Sequence, residues 1–190
     1  MSESSNEVDW ENVWQRKALE KPYDLKTING WEKVNISSAF VVEVVASRLN
    51  LTKNDRMLEV GCGCGYLTEY FLQRVQKYTG SDRSQNMIDL AKSIFDCEFI
   101  NCEAASLPFD DNQYDYVVAY SIFHYFPSED YAHRAFSEMD RVAKKGIYIG
   151  DLPTCSHDDN HMLYKFEQFS DWLTSEGVYT DKRFDIWRLK

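Results

Sequence analysis

Short apolar runs and longer helical patterns alternate along most of the chain. Runs of strand length occur at Met57–Val60, Tyr78–Gly80, Glu98–Ile100, Tyr116–Tyr120 and Ile147–Gly150. Between them, apolar residues recur at helical spacing in Leu67–Val75, Met87–Phe95 and Tyr131–Val142. Upstream, Trp10, Val13, Trp14 and Ala18 predict a short amphipathic helix within Val8–Leu19, behind a frayed, polar start. Ser37 or Ser38 caps a further helix carrying Phe40, Val41, Val44, Val45 and Leu49 on one face. Tyr23–Trp31 reads as loop, with Asn29-Gly30 as its turn signal. Strands alternating with helices predict an α/β fold, a doubly wound and mostly parallel sheet with helices on both faces.

Past Leu152 the pattern offers one amphipathic helix, about Tyr164–Ser175, and one strand within Val178–Leu189. This predicts a shortened C-terminal end and an open sheet edge. An open edge invites pairing with a second copy, so a homodimer is expected.

In such sheets ligands bind beyond the carboxyl ends of the strands. The least ordinary chemistry of this chain falls there. Gly61-Cys62-Gly63-Cys64-Gly65 follows the first strand and opens a helix. Its glycines let the backbone turn sharply and approach a ligand. The dinucleotide fingerprint G-x-G-x-x-G needs glycine at position 66, where this chain has Tyr66. No triphosphate-binding GK[ST] sequence is present.

Composition narrows the function further. The formal charge of -10 opposes long-range encounter with a nucleic-acid backbone, so no nucleic-acid partner is expected. The most apolar stretch, Ala39–Ala46, is short and broken by Glu43, so no membrane partner is expected. The acidic N-terminus is unlike a targeting segment, and five cysteines without zinc-ribbon spacing suit a reducing cytoplasm. His157, Asp158, Asp159 and His161 read as a solvated loop, and no metal is assigned.

Glu59-Val60-Gly61-Cys62-Gly63-Cys64-Gly65 resembles the first motif of class I S-adenosylmethionine-dependent methyltransferases, commonly D/E-x-G-x-G-x-G. Asp82-Arg83-Ser84-Gln85-Asn86-Met87-Ile88, with Ala91, is similar to the D-x-S-x-x-M segment of that family. Glu103-Ala104-Ala105-Ser106-Leu107-Pro108-Phe109 resembles its D-A-x-x-L-P-F segment. Tyr114-Asp115-Tyr116-Val117 and Arg141–Gly146 resemble the approaches to its fourth and fifth strands. The match runs over about residues 37–152 and is closest to the small-molecule, ubiquinone-biosynthesis-like branch. It implies a Rossmann-like domain at residues 37–190 behind an N-terminal helical lid at residues 1–36.

The resemblance also implies roles. Asp82 would accept the ribose hydroxyls of the donor, or else cap the following helix. Arg83 and Met87 would flank the adenine, and Glu103 with the Ala104 N–H would meet its edge. Gly61, Cys62, Gly63, Gly65 and the carbonyl near Tyr120 would hold the methionine end, with Glu59 orienting the turn. Glu103 departs from the family pattern, which has Asp there.

His124, in Ser121–Pro127, and Asp151 are candidate catalytic bases. The other reading of His124 is a packed, hydrogen-bonded histidine. Trp10, Trp14, Tyr23 and Trp31 either hold a planar or amine acceptor or, the favoured reading, pack onto the sheet. The expected activity is methyl transfer from S-adenosylmethionine to oxygen or nitrogen of a small molecule. The rival readings are a nicotinamide-dependent oxidoreductase and a non-catalytic donor-binding subunit.

Overall fold

The structure, a computed structural model, describes residues 8–19, 24–155, 161–178 and 180–190. Helices α1 (Trp10–Lys17), α2 (Leu25–Ile28) and α3 (Ser38–Leu49) precede the sheet. Strand β1 (Arg56–Val60) leads through α4 (Thr68–Leu72) to β2 (Lys77–Asp82), and α5 (Gln85–Ile94) leads to β3 (Glu98–Asn101). Strand β4 (Tyr114–Tyr120), α6 (Glu129–Val142) and β5 (Ala143–Pro153) follow, then β6 (Leu173–Glu176) and β7 (Arg183–Leu189). The sheet order is β3-β2-β1-β4-β5-β7-β6. The first five strands are mutually parallel, and β7 runs antiparallel to both its neighbours.

Both faces of the sheet are covered, and this explains why its strands read as unbroken apolar runs. Successive side chains on a strand point to opposite faces. Leu58, Val117, Ile147 and Ile149 accordingly join the core under α6, with Met139 and Val142. Met57, Val118 and Tyr148 join the opposite core, with Val41, Val45 and Leu49 of α3.

Serines set the helix starts. Ser37 Oγ accepts from the Phe40 N–H, Ser84 Oγ from the Met87 N–H, and Ser128 Oγ from the Tyr131 N–H. Left-handed Asn50, φ 54°, ends α3. The order reverses between β1 and β4, so the crevice for a ligand opens beyond their carboxyl ends.

The C-terminal end differs from expectation. A 3-10 turn at Phe166–Phe169 and strand β6 replace the helix expected over 164–175. The spacing of Phe166, Phe169 and Trp172 imitates a helical stripe. Those rings instead meet sheet and helix: Phe166 stacks on Phe184, while Trp172 meets Phe136 edge-on. β6 and β7 form a hairpin, so the sheet has two added strands rather than one. The end is short, since β6 has four residues.

A buried ionic network ties the hairpin to the sheet and to α3. Arg48 donates to Asp185 Oδ2 and to Tyr148 Oη, both at 2.5 Å, and the Tyr148 hydroxyl donates to Asp185 at 2.6 Å. Asp185 is fully buried, and burial pushes its carboxyl up despite these bonds. Removing one partner of such a pair leaves an uncompensated buried charge. Arg48→Met should therefore lower the unfolding free energy by about 3 kcal/mol, read from urea titration at neutral pH.

Candidate active site

The glycine turn is held from below by β2. The Gly61 and Cys62 N–H groups both donate to the Ser81 carbonyl, at 2.7 and 2.9 Å, and the Gly63 N–H donates to Asp82 Oδ2 at 2.9 Å. Gly61, Gly63 and Gly65 all adopt positive φ, 75°, 54° and 94°. Gly63 is required on a second ground. A Cβ there would meet Asn29 Oδ1 at 2.0 Å, because Asn29 from the end of α2 lies over the turn. The Asn29 amide donates to Cys64 Sγ at 2.8 Å. Burial pushes the Cys64 thiol up to about 12 and the Cys62 thiol well above its usual value, so neither is a nucleophile at neutral pH.

Asp82 has a turn role as well as its place in the cavity wall. Its Oδ1 accepts from the Ser84 N–H at 2.8 Å while Oδ2 accepts from Gly63. Burial raises its pKa, and the two backbone bonds and Arg83 oppose the rise. Behind it, Glu59 is buried and accepts from the Tyr78 hydroxyl at 2.6 Å.

A pocket partly open to solvent lies above these residues. Glu59–Gly63 and Ser81–Arg83 form its floor, with Met87, Cys102 and Ala104 at one end and Tyr120–Ile122 at the other. Its roof is aromatic: Trp10, Trp14, Trp31, Tyr66, Tyr125 and Phe126. Trp31 packs on Tyr66 and Tyr120 at centroid distances of 5.4 and 5.6 Å, and Trp10 and Trp14 both pack on Tyr125. The expected packing of the tryptophans against the body of the protein therefore coincides with lining the cavity; Tyr23 lies outside the described residues. Helix α1 is fastened beside Asp82. Gln15 Oε1 accepts from Ser84 Oγ and the Asn86 N–H, both at 3.1 Å, and Glu11 pairs with Arg83 at 2.5 Å.

Of the residues singled out from sequence, Glu59, Gly61, Cys62, Gly63, Asp82, Arg83, Met87, Ala104 and Tyr120 line this cavity together. Gly65 shapes the turn without lining it. Glu103 is not on the wall either: its half-exposed carboxylate accepts from the Tyr131 hydroxyl at 2.5 Å. His124 and Asp151 lie behind the wall in a buried polar cluster. Arg183 reaches Asp151 Oδ2 at 3.1 Å and His124 Nδ1 at 3.5 Å. His124 also packs on Tyr125 and His161, with centroids 4.0 and 4.8 Å apart. His157, Asp158 and Asp159 lie outside the described residues.

Sequence reasoning missed Asn29, Arg183 and Ser121. Asn29 is marked only as part of a turn and Arg183 by nothing, and both arrive from distant segments. Ser121 carries a signal, since it directly follows β4 at the switch in strand order.

Residues 57–146 match the family model described as a methyltransferase domain. The chain thus carries a methyltransferase domain of the S-adenosylmethionine-dependent kind. It is 35% identical over 117 residues to demethylmenaquinone methyltransferase of Staphylococcus epidermidis, covering 58% of this chain and 47% of that protein. It is 28% identical over 137 residues to tRNA (carboxymethyluridine(34)-5-O)-methyltransferase of Xenopus tropicalis, covering 70% of this chain and 20% of that one. The methyltransferase chain thus spans between a fifth and about half of these relatives' lengths. Its fold is similar to that of magnesium protoporphyrin IX methyltransferase from Synechocystis, solved with bound SAH. The TM-score is 0.67 at 14% identity, over 97% of this chain and 95% of that one. The exclusion of nucleic acid drawn from net charge finds no support here, because one relative is a tRNA methyltransferase. Among the described residues, no helix is long and apolar enough to cross a membrane.

Burial pushes the Glu59 carboxyl from its ordinary 4.5 to about 8, against the Tyr78 hydrogen bond and with the Asp82 charge. Between those two pH values the folded state holds a proton that the unfolded chain has lost. The stability contribution of Glu59 therefore falls as pH rises through this window and levels off above it. Glu59→Gln removes the titration. Urea unfolding should show the variant gaining on the parent between about pH 5 and about pH 8. A constant difference would mean that Glu59 is ionised in the folded protein.

Proposed function

We propose that this methyltransferase moves the methyl group of S-adenosylmethionine to oxygen or nitrogen of a small acceptor that is planar or cationic. The observation carrying this reading is a single cavity with two kinds of wall. A glycine turn and a buried carboxylate lie at its floor, and six aromatic side chains form its roof.

The residues present fit the donor. Each Asp82 oxygen accepts one backbone N–H, which leaves lone pairs for ribose hydroxyls. Arg83 Nε is buried with no hydrogen-bond partner among the described residues and belongs to a residue of the cavity wall. Arg83 and Met87 would flank the adenine, and the Ala104 N–H would serve its edge. Glu103, turned toward Tyr131, would act through Arg83. The backbone of Gly61, Cys62, Gly63 and Gly65, whose N–H groups are taken by Ser81, Asp82 and Cys62, would let the methionine end approach closely, with the Tyr120 carbonyl and Glu59 serving its polar groups.

When bound, the donor supplies an already activated methyl at a sulfonium, so the chain has mainly to align the acceptor and exclude water. The aromatic roof suits both tasks, and its ring faces favour an aromatic or amine acceptor. His124 and Asp151 would act from behind the wall. The N-terminal segment up to residue 36 would serve as the lid. The exposed edge of β6 would pair two copies. A reducing cytoplasm suits its five free cysteines.

Calorimetric titration with S-adenosylhomocysteine and with NAD tests the donor assignment, and binding of NAD alone would refute it. Asp82→Ala should weaken S-adenosylhomocysteine by about 3 kcal/mol, roughly a hundredfold, through loss of charge-assisted bonds. Turnover with phenols, amines, carboxylates and bulk tRNA tests the acceptor; methylation of tRNA alone would sink the small-molecule reading.

A further inference from the structure

We propose that Ser121 is the hydrogen-bond acceptor that meets the acceptor substrate and selects a nucleophile bearing a proton. This rests on the reading of the cavity as a methyl-donor site. Ser121 lines the cavity at the carboxyl end of β4, next to Tyr120. Its hydroxyl donates to Asp151 Oδ2 at 2.5 Å. A serine has one hydroxyl proton to give, and here it is committed to a carboxylate on the side away from the cavity. What Oγ has left to offer is its lone pairs.

The surroundings fix that polarity. Asp151 is buried and accepts from Arg183 at its Oδ2, 3.1 Å, and at its carbonyl, 3.0 Å. The same guanidinium lies 3.5 Å from His124 Nδ1, and an arginine has only donors, so that nitrogen accepts. The Asp151 N–H donates to Asp185 Oδ1 at 2.8 Å. Held by the Arg183 guanidinium, Asp151 Oδ2 keeps the Ser121 hydroxyl proton turned inward. Asp151 is thus a positioning residue that acts through Ser121.

The backbone supports the same conclusion. Ser121 and Asp151 both adopt positive φ, 59° and 67°, at the ends of adjacent strands. Non-glycine residues hold that conformation at a cost and only where the surroundings impose it. Here the side chains bond to each other, the Ser121 N–H donates to the Gly150 carbonyl at 3.1 Å, and Arg183 closes the cluster. A lone-pair donor fixed this rigidly orients an O–H, N–H or ammonium group arriving in front of it. It offers nothing to a thiolate or carbanion.

The test needs no knowledge of the natural acceptor. Sinefungin carries a C–NH3+ group where the donor carries S–CH3+, and S-adenosylhomocysteine carries neither. Ser121→Gly removes the hydroxyl and relaxes the positive φ, so folding is retained. In calorimetry, Ser121→Gly and Asp151→Asn should each weaken sinefungin at least tenfold while changing S-adenosylhomocysteine less than about twofold. Equal changes for the two ligands, or no change for either, would overturn the role of Ser121. Failure of the parent protein to bind S-adenosylhomocysteine would instead overturn the donor site itself.

Discussion

The hydrogen bond from the Gly63 N–H to Asp82 organises the site. It joins the turn after β1 to the end of β2, and the other oxygen of the same carboxylate receives the Ser84 N–H leading into α5. A carboxylate is expensive to bury without partners, and backbone amides in tight turns are expensive to leave unpaired. Each solves the other's problem. Helix α1 is fastened to the same place, since Gln15 and Glu11 bind residues immediately after Asp82. Turn, α5 start and α1 therefore share one anchor.

Much of this was legible in the sequence because it is local. The five parallel strands show as apolar runs since both sheet faces are covered, and the starts of α3, α5 and α6 are marked by serines whose caps are real. The glycine turn, Asp82 and Met87 fall together because strand ends line up in a parallel sheet. The C-terminal hairpin was not legible. β6 has an exposed edge position and the sequence Leu-Thr-Ser-Glu, so nothing forces alternation, while the aromatic spacing before it imitates a helix. Glu103 was misplaced for a related reason: a longer side chain found a tyrosine on α6, a contact between distant segments that no motif encodes.

Behind the cavity, two arginines reach into the sheet from opposite sides. Arg48 serves Asp185 and Tyr148, while Arg183 serves Asp151 and the ring of His124. Asp185 links the two by accepting from the Asp151 N–H. Strand β7, expected within Val178–Leu189, is thus the element that carries the charge balance behind the cavity.

The contact between Asn29 and Gly63 has a consequence for how such a chain can change. The Asn29 oxygen occupies the volume where any other residue at 63 would put its first carbon. Two segments far apart in sequence thus draw on one small space. The N-terminal segment and the turn are free to drift only as a matched pair, and such a segment transplanted from a relative would bring with it a different demand on the turn beneath.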